Sequence, residues 1–118
     1  MTEQRPLDVA LENRLMGKGI YLSEWAHEDE TVTLEYETVA APSSVTSHEV
    51  GTVVRTLLEC ADERDTWSPV TLEATSLTTD GEVRGTWRVE ADWFRRLGDD
   101  LTEVEFSRRV LESVEDET

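Results

Sequence analysis

His27, His48 and Cys60 are the only histidines and the only cysteine in the chain, so metal ligation by soft donors or thiol chemistry would have to begin with them. His27 heads the run His27-Glu28-Asp29-Glu30, where an imidazole and carboxylates could meet a cation. A metal site needs three or four converging donors, and neither helical nor hairpin spacing brings His48 to His27. The run therefore reads as a solvated acidic loop, and His48 as a polar residue in the first turn of a helix. Cys60 sits one step from an apolar helical stripe, with no cationic cluster or helix N-terminus to lower its thiol pKa. A small buried residue is the simpler reading. There is no hydrolase serine motif, no glycine-rich phosphate loop and no dinucleotide fingerprint. Carboxylate pairs are uninformative among 27 acidic residues. No catalytic residue, no metal site and no cofactor is expected, and an enzyme ranks low.

Two sets of residues rise above this background. Arg84, Arg88, Arg95 and Arg96 are four of the 11 basic residues and fall within one short stretch. They could line an anion site; the plainer reading has them satisfy Glu73, Glu90 and Asp92 as surface pairs. The second set is apolar. Strand alternation puts Trp87 in the core, but Tyr21, Trp25 and Leu77 on the opposite face of the sheet with Arg84 and Arg88. Large apolar groups among charges on an open face mark a surface that something covers. That would be a second copy of the chain or another protein.

The elements that must position these residues follow from periodicity. Pro6 suits a first helical turn, and Leu7, Ala10, Leu11 and Leu15 recur at helical spacing up to Gly17, which predicts a helix near 6–16. Strands are predicted over 19–25 and 31–40, the second with Val32, Leu34 and Tyr36 alternating against Thr33, Glu35 and Glu37. Their apolar sets come into phase only with an odd-length loop around His27-Glu28-Asp29 or with a bulge; pairing Trp25 with Thr31 brings Leu22 to Leu34 and leaves Tyr21 and Trp25 outside. Residues 41–44 read as a linker. Thr46 and Glu49 form a capping box, and Val50, Val53, Val54, Leu57, Leu58 and Ala61 make the stripe of a helix near 46–63.

Asp80-Gly81 predicts a two-residue turn. Leu72 then meets Val89, Ala74 meets Trp87, and Glu73 meets Arg88, like with like and charge with opposite charge. Residues 92–97, closed by Gly98, read as a turn or two of helix. Thr102 and Glu105 cap a last helix near 102–114, and residues 115–118 are expected to fray. The expected fold is α+β, in the order αββαββα, with a four-stranded antiparallel sheet and helices packed on one face. The 118 residues suit one domain.

The net charge is −16, and Lys18 is the only lysine. Such a charge strains a compact fold at ordinary ionic strength, but molar salt shortens the screening length to about 3 Å. The composition therefore predicts a cytosol held at molar salt. It disfavours nucleic-acid binding, which needs phosphate-neutralising cations. No apolar run long enough for a transmembrane helix and no secretory leader is present, so a cytoplasmic protein without a membrane partner is expected.

The segments 16–22 (MGKGIYL), 48–54 (HEVGTVV), 80–93 (DGEVRGTWRVEADW) and 102–110 (TEVEFSRRV) resemble a family of small acidic haloarchaeal proteins of unknown function. The resemblance spans most of the chain and implies an archaeal cytosol, with no catalytic residues to carry over. More loosely, the topology is similar to that of secretion-chaperone-like domains, which are small, acidic and dimeric with an extra strand; fold alone does not license their function. The expected function is a non-enzymatic, chaperone- or adaptor-like interaction module, homodimeric or bound to another protein. The alternative is an anion-binding domain built on the four arginines.

Overall fold

Threonine caps start two of the helices as their sequences demand. Thr46 accepts from the Glu49 backbone N–H while the Glu49 carboxylate accepts from the Thr46 N–H, and Thr102 and Glu105 repeat the arrangement. The computed structural model describes residues 6–39, 44–63 and 67–116. Helix α1 (Leu7–Met16) leads into the hairpin β1 (Ile20–Glu28) and β2 (Thr31–Thr38). Helix α2 (Ser47–Asp62) is followed by the hairpin β3 (Thr71–Leu77) and β4 (Val83–Val89), the short α3 (Ala91–Arg96), α4 (Glu103–Glu112) and β5 (Glu115–Asp116). Most of the expected linker, residues 41–43, lies outside the described residues.

Among the described residues the sheet has five strands in the order β1-β2-β3-β4-β5. This corrects the expected four-stranded antiparallel sheet in two ways. First, β2 and β3 pair in parallel, Val32 opposite Leu72 and Leu34 opposite Ala74. The physical reason is α2, which carries the chain back along the sheet before β3 begins, as a helical crossover between parallel neighbours requires. Second, Glu115 and Asp116, expected to fray, pair with Thr86 and Gly85 as a fifth strand. Two acidic residues carry no strand periodicity by which a sequence reading could find them. Residues 117–118 lie outside the described residues.

One apolar cluster joins the inner face of the sheet to the helices. Leu11 and Leu15 of α1, Val53 and Leu57 of α2 and Val110 of α4 meet Leu34, Leu72 and Val89 there, all 2% exposed or less. Each such burial contributes roughly 1.5–3 kcal/mol relative to an exposed side chain. Phe94 sits between Trp67 and Phe106, with ring centroids 5.8 and 5.7 Å away. Cys60 is fully buried in this core.

Both hairpins contain a bulge, and each bulge turns one residue inward. In β1 the register shifts between Leu22 and Glu24, so Leu22 meets Tyr36, Trp25 meets Leu34, and a two-residue loop joins Glu28 to Thr31. Asp29 in that loop takes the left-handed conformation, φ 54°. Of the two expected alternatives the bulge is the one found, while the odd-length loop and the Trp25–Thr31 pair are corrected. The extra residue sits at Ser23, inside the strand, and it turns Trp25 to the inner face. In the second hairpin Thr78 N–H donates to Glu82 O at 2.8 Å and Gly81 N–H to Thr78 O at 2.9 Å. The loop is thus Thr79-Asp80-Gly81, one residue longer than expected, with Gly81 at φ 87°. A bulge at Arg84 absorbs the extra residue, so the expected pairs Leu72–Val89, Ala74–Trp87 and Glu73–Arg88 all form.

Candidate functional site

The bulge in β4 points Arg84 beneath the sheet instead of outward, and only 2% of the residue remains exposed. Its Nη1 donates to Glu49 Oε2 at 2.9 Å, to Ser76 Oγ at 2.6 Å and to Thr38 Oγ1 at 3.2 Å. Nη2 donates to the Ser44 carbonyl. The same Glu49 oxygen accepts from Tyr36 Oη at 2.7 Å and from Ser76 Oγ at 2.8 Å. Trp87 Nε1 in turn donates to Tyr36 Oη at 2.9 Å, with the two rings edge to face. The second Glu49 oxygen closes the capping box of α2. One carboxylate therefore ties the start of α2 to three strands.

Burial alone would raise the Glu49 pKa. The Thr46 N–H, the Tyr36 and Ser76 hydroxyls and the Arg84 guanidinium outweigh it, and the carboxyl is held below its usual range. Burial, reinforced by the Glu49 charge, pushes the Tyr36 phenol well above its ordinary value. Among the described residues no buried side-chain nitrogen or oxygen lacks a hydrogen-bond partner. A carboxylate committed to this many donors has no lone pair directed at a substrate, so the network is built for cohesion.

Residue types alone do not point to this network. Glu49 was legible as a cap, but not as the partner of Arg84, 35 positions away. A signal did exist: Ser76 and Thr38 fall on inward-facing strand positions, where hydroxyls need partners.

The four arginines are not brought to one place. Arg84 is buried at the Ser76 end of β3. Arg95 and Arg96 lie on α3, whose first N–H, that of Ala91, donates to Thr71 Oγ1 at the other end of that strand. Arg95 pairs with Asp92 at 3.3 Å, Arg96 with Asp100 at 3.0 Å and Asp92 at 3.5 Å, and Arg88 approaches Glu90 at 3.9 Å. His27 and His48 are exposed, and among the described residues no three His, Cys, Asp or Glu side chains converge.

Among the described residues no helix packs on the outer face of the sheet; α1, α2, α3 and α4 all contribute to the inner cluster. Tyr21 pairs with Glu37, Glu37 with Leu77, and Leu77 with Val83, so these four residues form one row across β1 to β4. Tyr21 and Val83 are each 44% exposed, and Leu77 between them is 8% exposed. The expected interface residues Tyr21 and Leu77 thus share this row with Glu37. Trp25 does not belong to it, because the Ser23 bulge packs Trp25, half-buried, against the core. Arg88 points outward, opposite Glu73.

A family described as a domain of unknown function (DUF8159) matches residues 1–118, and the chain belongs to that family. No curated protein and no solved structure matches the chain. Among the described residues no helix is long and apolar enough to cross a membrane.

Proposed function

We propose that this chain is a non-enzymatic interaction module of a cytosol held at molar salt. In this reading the uncovered sheet face engages a second copy or another protein. The observation that carries the proposal is the row Tyr21–Glu37–Leu77–Val83 on the side of the sheet that, among the described residues, no helix covers. Val39 adds a further exposed apolar group just beyond the end of β2. Apolar side chains gathered at one end of an otherwise Thr- and Glu-rich face are the arrangement a docking partner would cover. The non-enzymatic part is supported by the Glu49–Arg84–Tyr36 network, whose polar atoms are spent on one another. The salt adaptation is supported by the −16 charge and the near absence of lysine.

Sedimentation in molar KCl tests the reading. The wild type should self-associate, or hold a stable stoichiometric partner through purification at native salt. Tyr21→Glu should weaken that association while the protein stays folded. A wild type that is monomeric and partnerless under those conditions removes the support.

A further inference from the structure

Most cations of this acidic chain have an acid beside them. Arg14, Arg84, Arg88, Arg95 and Arg96 each lie within 3.9 Å of a carboxylate. Arg108 and Arg109 form no ion pair among the described residues, but they share α4 with Glu105, whose carboxyl they help to hold low. Lys18 and Arg55 break the pattern. Among the described residues neither forms an ion pair, and Lys18 Nζ donates instead to the neutral Thr56 hydroxyl at 2.8 Å.

The two residues line the same cleft, together with His48. The cleft runs between the first half of α2 and the strand ends at Gly19–Ile20 and Thr38–Val39, and its volume is about 550 Å³. That is the size of a small-molecule site. Glu49 also borders it, but its charge is already met by Arg84 at 2.9 Å and does not cancel the cations.

This concentration runs against the rest of the molecule. A chain of net charge −16 repels anions on average. At molar salt, attraction beyond about 3 Å is screened, so an anion is held only by direct contact. Lys18 supplies a compact point charge and Arg55 a planar fork. A single carboxylate would leave one of these permanent charges unmatched; a phosphate dianion matches both and accepts from the fork in two places. The adjoining exposed Val39 offers an apolar surface that inorganic phosphate would not use.

We propose that this cleft binds a small organic phosphate, with the phosphate between Lys18 and Arg55 and the organic portion against Val39. The site shares Val39 with the proposed interface but neither of its cations, so Lys18→Gln/Arg55→Gln tests the cleft while Tyr21→Glu tests the row.

The test is titration of the full chain in molar KCl with phenyl phosphate, followed by backbone amide chemical shifts and calorimetry, with phenol as the uncharged control. Phenyl phosphate should shift the amides of Lys18, Gly19, Val39 and Arg55, with a Kd of about 1 mM or tighter. The double variant Lys18→Gln/Arg55→Gln should bind at least about tenfold more weakly. Lys18→Arg, which keeps the charge, should retain binding, and an unchanged spectrum elsewhere will show that each variant is folded. Absence of shifts at these residues, equal binding by the double variant, or equal shifts with phenol would each overturn the proposal.

Discussion

Glu49, near the start of α2, and Arg84, in the bulge of β4, form an ion pair of 2.9 Å with both side chains almost wholly removed from water. Removing one member of such a pair leaves an uncompensated buried charge, which costs about 3–5 kcal/mol. Arg84→Met should therefore destabilise the fold by that order. Glu49→Gln keeps a side chain that can still close the capping box, so it isolates the charge from the cap. The double variant should recover part of the loss. Denaturant unfolding in molar KCl reads all three, and a single-variant loss below about 1 kcal/mol would show that the pair is not held as described.

The same network sets a pH window. The Glu49 carboxyl is depressed in the fold, so its contribution is present above the unfolded value, about 4.3, and is lost as pH falls through the lower folded value. Tyr36 is raised, so its contribution is complete below the unfolded value, about 10, and is lost as pH rises above it. Glu49→Gln should flatten the acid limb of the stability curve and Tyr36→Phe the alkaline limb. Unchanged slopes in both variants would assign the limbs to other groups.

Gly85 leaves no room for a side chain. A Cβ there would stand 2.7 Å from both the Glu115 carbonyl and Val45 Cγ2. Gly85→Ala should push β5 off the sheet edge, at about 1–3 kcal/mol for overpacking. Amide exchange at Thr86, whose N–H lies on the β5 side of β4 like that of Arg88, should accelerate first. Retained protection there would mean that β5 accommodates the methyl group.

Gly81 raises a different point, because its surroundings are open and only its backbone is demanding, φ 87°. Gly81→Val should cost about 1–3 kcal/mol through strain alone. A loss of a few tenths would place the left-handed residue elsewhere in the loop.

These residues also show what could be read beforehand. The caps at Thr46 and Thr102 and the left-handed Gly81 depend on contacts a few residues apart, and all were legible. The pairs Leu72–Val89 and Ala74–Trp87 follow from the sequence even with a two-residue loop, because the bulge at Arg84 offsets the longer loop. What alternation could not supply was the position of a bulge. Ser23 and Arg84 carry no local sign of being extra residues, yet each sends a neighbour or itself to the other face. The parallel β2–β3 pair was hidden for another reason: strand patterns hold no record of direction, which here follows from the α2 crossover.

That reversal of faces yields the last prediction. Tyr21 and Trp25 were expected on one surface, but Tyr21 is 44% exposed in the outer row, whereas Trp25 stands opposite Leu34 and packs on the core. The two positions should therefore respond in opposite ways to the same substitution. Trp25→Glu puts a carboxylate against apolar neighbours with no partner, and should lower monomer stability by about 1–3 kcal/mol or more. Tyr21→Glu replaces a half-exposed ring on an edge strand and faces Glu37, but molar KCl screens that repulsion, and surface changes of this kind stay within about 0.5 kcal/mol. Any self-association that depends on the outer row should then vanish in Tyr21→Glu without a fall in the unfolding midpoint. In Trp25→Glu it should be lost only as far as the fold is lost. Matched melts and sedimentation on the two variants separate these effects. If Trp25→Glu were as stable as the wild type, the bulge at Ser23 would not turn that ring inward, and the outer row would have to be redrawn.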